Sequence, residues 1–115
     1  MANTFKVKTN GAMPTSGSAE TLYTVPSSTT TVVIGLLLCN IHTSAVTVDV
    51  SLESDTSDTE TNSNVSLAKS VSIPVGSTLE LLTGGKVVMQ TTDVLKINCS
   101  VQQKIDATLS ILEIT

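Results

Sequence analysis

Arginine and tryptophan are absent from this chain, and histidine, phenylalanine and tyrosine occur once each, as His42, Phe5 and Tyr23. The missing arginines weigh against nucleic acid. Phosphate binding needs clustered positive charge, and base stacking needs aromatic or guanidinium planes. Here the six lysines (Lys6, Lys8, Lys69, Lys86, Lys96 and Lys104) are scattered and the net charge is −4. Long hydrophobic runs are missing as well. The longest, VVIGLLLCNI at Val32 to Ile41, is half the ~20 residues of a membrane-spanning helix, so it reads as a strand buried on both faces and no membrane partner is expected. Behind the N-terminal MANTFKVKTNGAMP there is no apolar stretch of the signal-peptide kind, so the chain is expected to stay where it is made. The two cysteines, Cys39 and Cys99, lie in apolar segments and read as small buried hydrophobes without the Cys or His neighbours of a metal site. A disulfide between them requires adjacent strands and an oxidising compartment.

What is present is aliphatic and hydroxyl-rich. Hydrophobic residues make up 40% of 115 positions but aromatics only 2%, so one core must be built from valine, leucine and isoleucine, which favour strands. Serine and threonine supply about 30% of the chain, well above ordinary usage, and threonine suits the wet face of a pleated sheet. Alternation is plain in VTVDVSLE, where Val46, Val48, Val50 and Leu52 face one way and Thr47, Asp49, Ser51 and Glu53 the other. Near the C-terminus Ile105, Ala107, Leu109 and Ile111 share a face. Leu112 and Ile114 on the opposite face suggest a bulge or an end covered from both sides.

The pattern predicts strands near Thr4 to Lys8, Thr21 to Val25, Thr31 to Cys39, Val46 to Glu53, Val65 to Ile73, Thr78 to Leu82, Lys86 to Gln90, Val94 to Val101 and Ile105 to Glu113. Short turn-rich intervals separate them, leaving no room for helical crossovers. The expected fold is therefore all-β, a single-domain antiparallel β-sandwich, jelly-roll-like, of eight or nine strands. Residues 21–115 form the sandwich, and residues 1–20 an N-terminal strand or arm and loop able to order on a partner.

Four carboxylates in ESDTSDTETNSN, namely Glu53, Asp55, Asp58 and Glu60, could offer oxygen ligands to Ca²⁺, but the spacing lacks the glycine turn and terminal bidentate glutamate of an EF-hand. The segment reads as a solvated loop. His42 with Ser44 and Asp49 nearby in sequence does not make a triad, and Asp93 with Asp106 is an acid pair only on paper. LLTGGK, from Leu81 to Lys86, lacks the upstream glycine of a phosphate loop and is followed by a strand, so Gly84 and Gly85 read as a tight hairpin turn. Pro74 and Gly76 likewise mark a tight turn before Ser77. No catalytic, cofactor-binding or metal residue is assigned.

Several stretches together carry a resemblance: LYTVPSSTTTVVIGLLLCN (Leu22 to Asn40), VTVDVSL (Val46 to Leu52), IPVGSTLELLTGGKVVMQTTDVLKI (Ile73 to Ile97) and DATLSILEI (Asp106 to Ile114). The rhythm is a Tyr-Thr-x-Pro lead-in to an apolar strand ending in Asn, an Ile-Pro-x-Gly turn, a Gly-Lys turn, then an Asp opening the penultimate strand. It resembles the small virion structural proteins of tailed bacteriophages, particularly those of marine cyanobacteria. Similar proteins often place glycine before that aspartate, where this chain has Thr92. The resemblance implies an all-β, non-enzymatic component of the virion, made in the host cytoplasm. Its first expected role is a capsid decoration or cement protein bound to the major capsid protein, as a homo-oligomeric dimer or trimer. A tail, neck or fibre-associated adaptor is the alternative, and a carbohydrate-binding module for host attachment a second one, with Tyr23 and Phe5 as its only aromatic platforms.

Overall fold

Period-two alternation resolves into nine antiparallel strands in a computed structural model that describes residues 2–54, 61–82 and 86–115. They are β1 (Asn3–Met13), β2 (Glu20–Thr24), β3 (Thr30–Asn40), β4 (Val46–Glu53), β5 (Val65–Ile73), β6 (Thr78–Leu81), β7 (Val87–Met89), β8 (Val94–Cys99) and β9 (Ile105–Ile114). A five-stranded sheet runs β1-β9-β3-β6, with β7 also on β3, and a four-stranded sheet runs β2-β8-β4-β5. The described residues contain no helix. The two sheets pack face to face as a β-sandwich, in agreement with the expected class.

The pairing is nested: the chain's first and last strands are partners, as are its second and second-to-last. β6 and β7 both lie antiparallel to β3, opposite Leu36–Cys39 and Thr31–Val33 respectively, so they follow one another along one edge instead of folding back on each other. This corrects the hairpin expectation for these two strands; Thr83, Gly84 and Gly85 themselves lie outside the described residues. Taken as one interrupted strand, β6 and β7 leave two four-stranded sheets with the strand number of a jelly roll.

Alternation also sets the core. Val33, Leu36 and Leu38 of β3 meet Ile105, Ala107, Leu109 and Ile111 of β9 within one sheet, and Val46, Val48 and Val50 of β4 with Leu95, Ile97 and Cys99 of β8 supply the opposing layer. Methionines fill the ends: Met13 and Met89 are fully buried. Residues 3–13, expected as a short strand leading into an arm, form one eleven-residue strand within the five-stranded sheet. The bulge expected in β9 lies in β3 instead. Val33 pairs with Ile111 and Gly35 with Ser110, so Ile34 is one residue too many, and the inward series Thr31, Val33 resumes as Leu36, Leu38, Asn40.

Two turns show why particular residues stand where they do. In Pro74-Val75-Gly76-Ser77 the Ser77 N–H reaches the Pro74 carbonyl at 3.1 Å, and Gly76 takes φ 71°. The equivalent position in Gln90-Thr91-Thr92-Asp93 is Thr92, at φ 73°, in a turn closed by Asp93 N–H to Gln90 O at 3.0 Å. A β-branched residue in the left-handed region is strained. Thr92→Gly is therefore expected to raise stability by about 0.5–1 kcal/mol, the relieved strain exceeding glycine's added chain entropy. Chemical denaturation measures it; a loss of stability would show that threonine is at ease there.

Candidate interaction surface

The two outer faces of the sandwich differ in chemistry. On the four-stranded sheet, Thr47, Asp49, Ser51 and Glu53 of β4 stand beside Lys96 and Asn98 of β8, with ion pairs Lys69–Asp49 at 3.7 Å and Lys96–Glu53 at 3.1 Å. That face is dressed for water. On the five-stranded sheet the register lines up Phe5 with Leu112, Leu112 with Val32, and Val32 with Val88, an apolar row across four strands. At ~4.8 Å between strands the row is about 14 Å wide. Phe5 is 75% exposed, Val7 65%, Val88 54%, Leu37 40% and Ile34 38%.

This overturns the expectation that Val32 to Ile41 is buried on both faces. One face of β3 enters the core, while Ile34 and Leu37 lie open on the other. Leu112 and Ile114 are likewise only half-buried on that outer face. A depression of about 300 Å³ lies among Ile34, Gly35, Leu37, Glu80, Leu81 and Ser110. Gly35 forms its floor: a Cβ built there would meet nothing within 4 Å. Contiguous exposed aliphatics of this kind mark surfaces that other molecules cover.

At one border of that face, between β1 and β2, a chain of polar contacts enters the sandwich. The Lys6 ammonium binds Glu113 Oε1 at 2.8 Å; Tyr23 O–H donates to Glu113 Oε2 and lies 2.9 Å from Thr31 Oγ1. Glu113 occupies the inward parity of β9, after Ile105, Ala107, Leu109 and Ile111, so it is buried and needs both partners. The Lys6 bond, then the Tyr23 bond, hold its carboxyl below the usual range. Burial, then the bond to Glu113, pushes the Tyr23 phenol up to about 12. Sequence reasoning missed Lys6, Thr31 and Glu113 as a group. A carboxylate continuing an inward aliphatic series was the available signal.

The residues considered for chemistry are dispersed. His42 sits in the β3–β4 turn with its backbone N–H on Asn40 Oδ1, while Asp49 accepts from Ser70 N–H at 2.7 Å on the polar face; His42, Ser44 and Asp49 do not converge. Asp106 is level with Cys39, whereas Asp93 closes the turn after Met89, which is level with Thr31. Eight residues of β3 at ~3.3 Å each separate them by roughly 26 Å, beyond the ~5–9.5 Å of a glycosidase pair. Asp93 is buried, Oδ2 accepting from Gln90 N–H at 2.9 Å and Oδ1 without a partner among the described residues. Cys39 and Cys99 are free and belong to different sheets. Of the acidic loop, Glu53 pairs with Lys96, and Asp55, Asp58 and Glu60 lie outside the described residues. Among the described residues no three metal-ligating side chains gather. Tyr23 is buried and offers no stacking platform, which leaves Phe5 as the only exposed aromatic among the described residues. Comparison with protein-family models, curated proteins and solved structures returns no match.

Proposed function

We propose that this chain is a virion structural subunit, a capsid decoration or cement protein that lays the outer face of its five-stranded sheet on the major capsid protein. One observation carries the reading: of two outer faces built from the same hydroxyl-rich sequence, one is polar and ion-paired, and the other exposes a row from Phe5 to Val88. The resemblance of the strand sequences to small phage virion proteins supports it independently. Repeated over a shell, a modest apolar contact becomes strong by avidity. Copies following the shell's symmetry would stand as dimers or trimers.

Imaging of assembled particles tests the role. Occupancy at every lattice site, with the five-stranded sheet turned inward, is the expected result; a single ring of copies moves the chain to the neck or tail, and a particle complete without it overturns the reading. Gly35→Gln tests the face, because open space above Gly35 lets the new side chain fill the depression without touching the fold. The variant is expected to melt like the parent yet to bind particles at least about tenfold more weakly, the ~1.4 kcal/mol that one misfitted contact costs. Unchanged binding would show that this face is not the contact.

A further inference from the structure

Among the described residues β1 borders the five-stranded sheet and pairs only with β9, and it runs eleven residues without proline. Ala2 and Thr115 exchange both backbone hydrogen bonds, N–H to O, at 3.2 and 2.9 Å. The register is unbroken from Asn3↔Ile114 to Asn10↔Ala107. In an antiparallel ladder such reciprocal pairs alternate, so even-numbered residues of β1 direct their N–H and C=O groups to β9. Asn3, Phe5, Val7 and Thr9 direct theirs away from it, along the open border. That is four donors and four acceptors in a row, beside the most exposed apolar side chains of the described molecule.

The same alternation separates the side chains. Phe5 and Val7 pair with Leu112 and Ser110 on the outer face, whereas Lys6 and Lys8 pair with Ile111 and Leu109 and line a cleft of about 490 Å³ between β1 and β2. Lys6 is held by Glu113, and Lys8 has no ionic partner among the described residues.

We infer that the β1 border accepts an extended segment of a partner protein as one more strand, with acidic side chains of that segment facing Lys6 and Lys8 and apolar ones continuing the row begun by Phe5 and Val7. Main-chain bonding supplies affinity in such strand addition, and alternate side chains supply selectivity. The lysines argue for a different protein over a second copy of this chain in the registers that set Val7 against Phe5 or Val7, and setting Phe5 against Phe5 instead leaves Val7 facing Asn3. A two-fold pairing that sets Phe5 against Val7 of the other copy puts Lys6 opposite Lys6, and the register setting Val7 against Val7 puts Lys6 opposite Lys8. Like charges directly opposite are destabilising. An acidic strand meets the same positions with attraction.

The inference rests on the assembly role for the identity of the partner, but its test uses no particle. A peptide of alternating glutamate and valine is titrated into the isotope-labelled chain, and one of alternating lysine and valine into a second sample. The glutamate peptide is expected to shift the amide signals of Asn3, Phe5, Val7 and Thr9 and to bind at least about tenfold tighter than the lysine peptide, a gap of ~1.4 kcal/mol. Val7→Pro removes one outward N–H and no ladder bond, which an edge strand tolerates; it should abolish those shifts. Lys8→Glu, an exposed substitution, should reverse the peptide preference. Equal affinity for the two peptides, shifts centred on Leu37 and Val88, undiminished binding by Val7→Pro, no binding up to about 1 mM, or self-pairing of the free chain through Phe5 and Val7 would each overturn the inference. A particle complete without this chain would overturn the assembly role and leave the peptide result standing.

Discussion

Replacing Asn40 with alanine is expected to lower the free energy of unfolding by about 2 kcal/mol, from the His42 amide left without its acceptor and the Nδ2 bonds lost to three carbonyls. Asn40 ends β3 on its inward face and is buried. Its Nδ2 hydrogens are shared among the carbonyls of Ser44 at 3.0 Å, Ile73 at 2.9 Å and Pro74 at 3.2 Å, and its Oδ1 accepts the His42 N–H at 2.7 Å. One side chain thus ties the β3–β4 turn to the β5–β6 turn, joining the two sheets at one end of the sandwich. Ser44 and Pro74 are exposed, so water can replace part of what they lose, and the buried Ile73 carbonyl keeps its ladder partner Val46. Asn40→Asp should be no better. It keeps the acceptor for His42 but aims a carboxylate oxygen at carbonyl oxygens. Urea unfolding with an unchanged slope measures the loss. A cost below about 1 kcal/mol would mean that the two turns hold themselves, as isolated hydrogen bonds of small net value would allow.

Alkali should destabilise this protein through its single tyrosine. The phenol of Tyr23 is pushed from 10.0 up to about 12, first by burial and then by donation to Glu113. A raised value means that the folded state favours the protonated phenol. The contribution is complete below the unfolded value near 10 and is lost as pH rises through about 12. That rise corresponds to about 2–3 kcal/mol. Because there is one tyrosine and no tryptophan, phenolate absorbance follows this group alone. Tyr23→Phe should remove the part of the alkaline loss that belongs to the phenol, while costing about 1 kcal/mol at neutral pH for the missing hydrogen bond. An ionisation near 10 in the folded chain, or an identical alkaline profile in the phenylalanine variant, would refute the coupling. At the acid end the sign is opposite. Glu113 is held below the ordinary carboxylate range, so its contribution is present above about 4.5 and fades as pH falls below that.

These two effects explain what several signature residues do. Tyr23, Asn40, the Pro74 to Ser77 turn and Asp93 each hold backbone or side-chain groups at the ends of strands. They are fold-maintaining positions. The parts proposed to meet other molecules, Phe5, Val7, Gly35 and Val88, stand on the outer face and border instead. Sequence alone pointed to the first group as a rhythm of residues and was silent on the second as a surface.

Alternation determined the strands where it is unbroken, because a period of two is a local property of the chain: β4 and the start of β9 fall on the residues that VTVDVSLE and IDATLSI mark out. Glycine and proline placed the turn before Ser77 in the same way. Whether a second layer covers a strand is not local. The aliphatic run of β3 suited burial on both faces, yet a two-sheet sandwich provides only one interior, so Ile34 and Leu37 were left outside. Register decided the rest: it strung Phe5, Leu112, Val32 and Val88 into one row from four distant stretches, and it set Lys6 against a carboxylate more than a hundred residues away. Those alignments arise only when the chain's two ends pair, which no short window of sequence contains.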